Sequence, residues 1–319
     1  MKRVLILLLL FLGIMVSCAN SEDKDTYTFY AMDTFISITF YHTEGSKEIA
    51  QAVENIYLTY DAVADDFQKK SDVSVYDLNL QREADIPTEL KEMLEFSLKM
   101  KEETKGYFNP FIGRLSHLWK KALEEQKLLD AALIEEEVQI MNETQLVIEG
   151  NHAQLLGEGN LDLGGIAKGY ATSKVKEYLD SIECHSFLLN AGSSTIVLGN
   201  KRNQSFSVGL TKAMGNEYYK ILKIKEKAIS TSSIREQRVT IQNKTYSHLL
   251  NPMTGYPADS YDTLSIIGED SKVLDAYSTA CFAMDMDTLQ AFLDEKGLDY
   301  IISKDNQLFF ESEGIQSYA

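Results

Sequence analysis

The chain reads as an α/β protein of the mixed α+β kind, with mixed β-sheets covered by helices, and three observations predict this. Segments of near-alternating apolar residues and segments with apolar residues at helical spacing follow one another along the chain. No repeat, low-complexity tract or proline-rich linker interrupts residues 26–319, and the chain holds only 4 prolines, so no domain boundary stands out. Its length suffices for one large domain, or two intimately joined ones, with a sizeable core.

The first element is a leader. Lys2 and Arg3 precede an apolar run from Val4 to Val16, too short to span a bilayer comfortably, which is the pattern of a secretory signal. Met15-Val16-Ser17-Cys18 places a small residue directly before a cysteine and resembles the lipobox of bacterial lipoproteins. On that reading residues 1–17 are removed, Cys18 carries the lipid, and residues 18–25 form a polar tether to a domain spanning 26–319. The alternative is an ordinary cleaved signal with an incidental cysteine. Either way the expectation is an extracytoplasmic protein, anchored to the cell membrane if Cys18 is lipidated.

Phe29, Phe35, Ile36, Ile38 and Phe40 lie in a strand-like stretch, and Ile49, Val53, Ile56, Tyr57, Tyr60 and Val63 recur at helical spacing. A second helix is expected from about Pro87, a residue favoured in a first turn, through Leu98. The loop GYFNPFIG (106–113) follows, then a helix from Leu115 to Leu129. Paired strands are expected near 144–149 and 153–158, then a glycine-rich turn and a helix from about 165 to 180. Residues 185–250 read as short β-rich segments ahead of the turn NPMTGYP (251–257). A strand near 262–268, helices near 271–283 and 286–296, and strands near 299–303 and 307–311 complete the chain.

The formal charge is −17, and loss of Lys2 and Arg3 with the leader makes the mature chain more negative still. Such a surface repels nucleic acid and anionic lipid heads, so an anionic ligand has to be held by local devices such as a metal or a lysine. Cys184 and Cys281 sit in apolar or helical contexts, read as buried free thiols, and lack metal-ligand spacing.

Three stretches carry chemistry. In NLDLGGIAKGYATSKV (160–175) an apolar strand end meets Gly164 and Gly165 and then a helix with Lys168 in its first turns. Glycines admit close backbone approach, a helix start offers free N–H groups, and Lys168 adds a point charge, which together suit a phosphate. Asp162 could accept from a ribose or a ring N–H. The competing reading is a tight strand-to-helix turn with a solvated lysine. In VLDAYSTACFAM (273–284) Asp275 and Thr279, four apart, share one helical face and offer hard oxygen ligands of the kind Mg²⁺ takes; a dipole partner and a back-bonded hydroxyl are the alternative. In YSHLLNPMTGYP (246–257) His248 stands just before a turn fixed by Pro252 and Gly255, as a candidate general base or a structural histidine.

In this order the segments resemble the ApbE family of FAD:protein FMN transferases. The resemblance rests on Met32-Asp33-Thr34, Phe108-Asn109-Pro110, DLGGIAKGYA (162–171), Asn190-Ala191-Gly192, Thr231-Ser232, the HLLNPMTG block and Asp275-Ala276-Tyr277-Ser278-Thr279-Ala280, spanning about residues 30–285. It implies a Mg²⁺ site of Asp275, Thr279 and the Gly165 carbonyl. It implies FAD contacts from Met32, Tyr107, Phe108, Asn109, Asp162, Lys168 and the backbone after His248, at Leu249 and Leu250. His248 would be the base, with Lys168 neutralising the pyrophosphate. The acceptor would be a Thr or Ser hydroxyl on a partner such as a membrane redox subunit, and AMP would leave. Asp33, Asn109, Ser193, Ser194, Ser233 and Asn251 depart from the family pattern, and Lys69 stands near where many members carry a flavin-side tyrosine. A hydrolase splitting FAD into FMN and AMP, and a lipoprotein that only binds FAD, are the other readings of the same site.

Overall fold

The computed structural model describes residues 24–201, 204–235, 238–241 and 244–319. The leader, Cys18 and the tether as far as residue 23 lie outside the described residues; Lys24 and Asp25, assigned above to the tether, already belong to the first strand.

Strand β1 (Lys24–Ala31) turns back into β2 (Thr34–Tyr41), so the strand-like stretch expected around 29–40 is a hairpin. Met32 and Asp33 form its two-residue loop, both at positive φ (51° and 56°), the backbone that matches the twist of the flanking strands. Helix α1 (Ser46–Ala64) buries Ala50, Val53, Tyr57, Tyr60 and Val63, the stripe its spacing predicts. Then come α2 (Val75–Gln81), β3 (Glu83–Asp85), α3 (Thr88–Glu103), α4 (Gly113–Glu124), α5 (Ala131–Glu143), β4 (Gln145–Glu149) and β5 (His152–Leu156). Helix α6 (Gly164–Ser181) leads to β6 (Phe187–Ala191), β7 (Thr195–Leu198), β8 (Phe206–Thr211), β9 (Tyr218–Ile224), β10 (Ala228–Ser233), β11 (Val239–Ile241) and β12 (Lys244–Tyr246). The chain closes with β13 (Thr263–Gly268), α7 (Ser271–Phe282), α8 (Met286–Glu295), β14 (Asp299–Lys304), β15 (Gln307–Glu311) and a 3₁₀ turn (Glu313–Tyr318).

Three helices differ from expectation. The helix read from Leu115 to Leu129 ends at Glu124, because Gln126 adopts a left-handed conformation (φ 53°) and Lys127 N–H donates back to the Ala122 carbonyl at 2.9 Å. This is a C-terminal cap built without the glycine that usually signals one. The segment after it forms α5, whose Asp130 side chain accepts from Ala132 N–H. The short α2 was also unforeseen; a capping box of Ser74 and Asp77 starts it.

Eight strands form one antiparallel sheet in the order β1-β2-β6-β7-β10-β13-β14-β15. Helices α1, α6 and α7 pack on one face, where Ile36, Ile38, Phe40, Leu264 and Ile266 meet Leu179 and Phe282 in the main core. The hairpin of β8 and β9 and the 3₁₀ turn close the other face through Leu222, Ile224, Ile267, Ile301 and Ile315. Strand β13 is therefore buried along its whole length, and its sequence TLSIIG lacks the polar alternation of a one-sided strand. A third cluster, with Trp119 and Leu123 of α4 and Ile134 of α5, holds β11 and β12 beside the turn at 251–257. Cys184 and Cys281 are buried free thiols, as expected.

Candidate active site

The site is built where α6 and α7 lock together turn by turn. On α6, Gly165 and Gly169 are one turn apart; on α7, Asp275 and Thr279 are one turn apart. Thr279 Oγ1 donates to the Gly165 carbonyl at 3.1 Å, Gly169 N–H donates to Asp275 Oδ2 at 2.8 Å, and Ser271 Oγ donates to the Gly169 carbonyl at 3.0 Å. Glycine at 169 makes this approach possible, since a Cβ there would lie 2.3 Å from Asp275 Cβ and 2.6 Å from the Ser271 carbonyl oxygen.

Asp275 is 6% exposed. Its Oδ1 accepts from Ser230 Oγ of β10 at 3.0 Å and from Thr195 Oγ1 of β7 at 3.4 Å, so the carboxylate is held by the sheet on one side and by α6 on the other. Burial pushes the Asp275 carboxyl above the usual carboxylate range, and the Lys168 charge, Gly169 N–H and the two hydroxyls oppose that rise. Lys168 is half-buried on α6, and the Thr172 hydroxyl, which donates to the Lys168 carbonyl at 2.6 Å, is tied in turn to Tyr57 of α1.

Gly165, Asp275 and Thr279 thus converge. A carboxylate offers about four lone-pair directions, and three are occupied here, leaving one on Oδ2. The donor set of one carboxylate, one hydroxyl and one carbonyl is all oxygen and fits a hard divalent cation. Among the described residues no group of three or more His, Cys, Asp or Glu could hold a metal. A cation here would therefore complete its shell with waters or ligand phosphates, as Mg²⁺ commonly does.

The other expected residues surround this lock. Phe108 is buried, with its ring edge 3.3 Å from where a Cβ on Gly165 would stand. Asp162 is placed by its N–H, which donates to the Pro110 carbonyl at 2.8 Å, and its Oδ1 accepts from Gly164 N–H at 2.7 Å. Asn109 is buried, accepts from Phe111 N–H at 3.1 Å, and lines a cleft of about 500 Å³ with Lys101 and Met253. Tyr107 is half-buried against the main core. Met32 is also half-buried; the neighbouring Thr34 fills the space over Gly192, whose loop leads to Thr195.

His248 is exposed, on the loop that joins β12 to the turn at 251–257. The Leu249 carbonyl accepts from Ala258 N–H at 2.8 Å and Leu250 bridges to Pro257. Asn251 Oδ1 accepts from Met253 N–H at 2.8 Å, while its Nδ2 donates to the Ala283 carbonyl just past α7 at 3.0 Å. Trp119 Nε1 clamps the far side of the turn by donating to the Gly255 carbonyl at 2.7 Å.

Several positions that depart from the family pattern are held by local contacts or backbone. Asp33 and Ser193 (φ 65°) both occupy left-handed backbone, which asparagine and aspartate tolerate better than most residues. Ser193 N–H donates to Asn190 Oδ1 at 2.8 Å, and Ser233 Oγ accepts from Arg235 N–H at 3.0 Å. Lys69 pairs with Asp77 at 3.4 Å; the exposed aromatic of that loop is Phe67, stacked on His117 at 4.2 Å with Lys120 over its ring at 3.9 Å. Sequence reasoning also missed Ser230, Thr195 and the Asp66–His117 pair. Only the alternation of serines in the run 230–233 hinted at hydroxyls facing inward.

Known proteins of one family resemble this chain in sequence and in fold. The chain is 25% identical over 293 residues to the FAD:protein FMN transferase of Chlamydia pneumoniae, covering 88% of this chain and 90% of that one. It is 27% identical over 219 residues to the enzyme of the same name from Klebsiella pneumoniae, covering 64% and 68%. The crystal structure of the ApbE protein from Thermotoga maritima superposes with a TM-score of 0.84 at 22% identity, covering 92% of this chain and 99% of that one. The flavin transferase ApbE of Vibrio cholerae gives 0.77 at 17% identity, covering 93% and 99%. The ApbE family model matches residues 32–302, from the hairpin loop to the penultimate strand, and the chain belongs to the ApbE family.

Proposed function

We propose that this chain is an enzyme that transfers the FMN half of FAD to a Thr or Ser hydroxyl of an acceptor protein, releasing AMP, with Mg²⁺ at Asp275, Thr279 and the Gly165 carbonyl. The observation that carries the reading is the α6–α7 lock, which gathers one carboxylate, one hydroxyl and one carbonyl beside a glycine corner. The names of the relatives support the transfer reaction itself.

In this reading the chain's residues act by position and charge. The corner at Gly164 and Gly165 lets the ligand's phosphates approach the start of α6, where the positive end of the helix dipole and Lys168 meet their negative charge. Met32, Tyr107, Phe108, Asn109, Asp162 and the backbone at Leu249 and Leu250 hold and orient the dinucleotide. His248 takes the proton of the attacking hydroxyl as its oxygen bonds to the FMN phosphorus and the bond to the AMP phosphate breaks. A divalent cation, when bound, supplies charge that stabilises the pyrophosphate as AMP departs. Lipid on Cys18 would hold the enzyme at the extracytoplasmic membrane surface, within reach of an acceptor in a membrane redox system.

The test mixes the domain from residue 24 onward with FAD, Mg²⁺ and a candidate acceptor, and reads the acceptor's mass. A mass increase of one FMN is expected, and Asp275→Ala is expected to abolish it; unchanged labelling by that variant removes the metal reading. Rapid AMP release without any acceptor would instead identify a hydrolase, and stoichiometric FAD with no turnover a carrier.

A further inference from the structure

The hydroxyl cluster behind Asp275 leads to one atom of its carboxylate. Ser230 and Thr195 are each 0% exposed, on adjacent strands β10 and β7, and both reach Asp275 Oδ1. Thr195 Oγ1 is also 3.4 Å from Ser230 Oγ. Behind them Ser278 Oγ lies 3.4 Å from Ser230 Oγ and 3.1 Å from the Asp275 carbonyl, and accepts from Ser232 Oγ at 3.1 Å. Four buried hydroxyls thus form a connected relay ending on a single carboxylate oxygen.

This arrangement makes the two oxygens of Asp275 unequal. Oδ1 faces the sheet and accepts two side-chain hydroxyls, whereas Oδ2 faces α6 and accepts one backbone N–H. The open lone pair is therefore on the oxygen that shares the α6 side with the Gly165 carbonyl. Ser278 bonds back to its own helix, whereas Ser230 and Thr195 reach across to the carboxylate and fix its rotation.

Resting on the metal reading given above, we propose that Ser230, seconded by Thr195, is a positioning residue for the divalent-cation site: it occupies Asp275 Oδ1 and so presents Oδ2 to the cation. Partners of this kind behind a metal ligand typically change affinity by about 10–100-fold when removed. Ser230, with the shorter bond, carries more of the effect than Thr195.

The experiment titrates Mn²⁺ into the protein, with and without FAD, and follows free Mn²⁺ by electron paramagnetic resonance. Wild type, Asp275→Ala, Ser230→Ala, Ser230→Thr and Thr195→Val are compared, and thermal melting in metal-free buffer reports the fold. Ser230→Ala is expected to bind Mn²⁺ about 10–100-fold more weakly, Thr195→Val less so, and Ser230→Thr to recover most of the loss, with Ser230→Ala still melting in one cooperative transition. Wild-type affinity in Ser230→Ala, alongside lost binding in Asp275→Ala, overturns this proposal alone. A weakening that Ser230→Thr leaves unrepaired also overturns it, since the hydroxyl would then not be the cause. No Mn²⁺ binding by the wild type overturns the metal reading itself, and this proposal with it.

Discussion

Gly169→Ala adds one methyl group at the closest point between α6 and α7. The new Cβ would stand 2.3 Å from Asp275 Cβ and 2.6 Å from the Ser271 carbonyl oxygen. Carbon atoms pack at about 3.5–4.0 Å, so the helices have to part by roughly 1 Å or more, and the neighbours are backbone and a Cβ that cannot swing away. Overpacking of this kind costs about 1–3 kcal/mol. The separation also weakens the Gly169 N–H bond to Asp275, a bond to a charged group contributing about 1.5–3 kcal/mol. Alanine's better helix propensity returns about 1 kcal/mol. The net is about 2–4 kcal/mol, and at about 2.1 cal/mol/K per residue a chain of this size loses roughly 3–6 °C of melting temperature. Because Oδ2 loses its α6 partner as Gly165 moves off Thr279, FMN transfer is expected to fall much further than stability does. Calorimetric melting and transfer assays on the same preparation check both. A variant that melts and transfers like the wild type would refute the argument that this glycine sets the helix spacing.

Other outcomes follow from the surroundings of the site. His117 Nε2 lies 2.7 Å from Asp66, and that hydrogen bond raises the imidazole's pKa against the opposing effect of burial, with Asp162 adding to the rise and Lys120 reducing it. A raised imidazole stabilises the fold fully below its unfolded value, about 6.5, and loses that contribution as pH climbs through the folded value. The melting-temperature gap between wild type and His117→Gln should therefore be widest near pH 6 and shrink toward pH 9; a gap independent of pH would contradict this. Asn251→Asp replaces a donor to the Ala283 carbonyl with a second acceptor and is expected to cost about 1–3 kcal/mol, measurable by urea denaturation. The chain has 1 tryptophan, and Trp119 is bonded to the turn that follows His248, so FAD binding should alter its emission; an unchanged spectrum at saturating FAD would place the ligand elsewhere.

Much of the candidate site's geometry was legible because its residues are packed into contiguous motifs. The i and i+4 spacing of Asp275 and Thr279 placed both on one face of α7, and Gly165 lay in an uninterrupted ten-residue motif. Ser230 and Thr195 were not legible, since each reaches Asp275 only because β7 and β10, well apart in the chain, are neighbours in the sheet. Gly169 stood inside the motif, yet its purpose depends on a helix about a hundred residues later. In the fold, buried stripes such as Val53-Tyr57-Tyr60 announced α1, whereas the end of α4 did not show, because Gln126 takes a conformation that sequence habit reserves for glycine. The Met32-Asp33 reversal escaped for the same reason: neither residue is the usual marker of a two-residue hairpin loop.

The relay of hydroxyls behind Asp275 has a consequence for the order in which the protein matures. A carboxylate sealed in the interior without partners would resist folding until an ion arrived, as in small domains that collapse only around their metal. Here the chain supplies its own donors from β7, β10 and α6, so the interior can assemble in the absence of any ion. The fold can thus form first, and whatever cation or nucleotide the site takes binds afterwards.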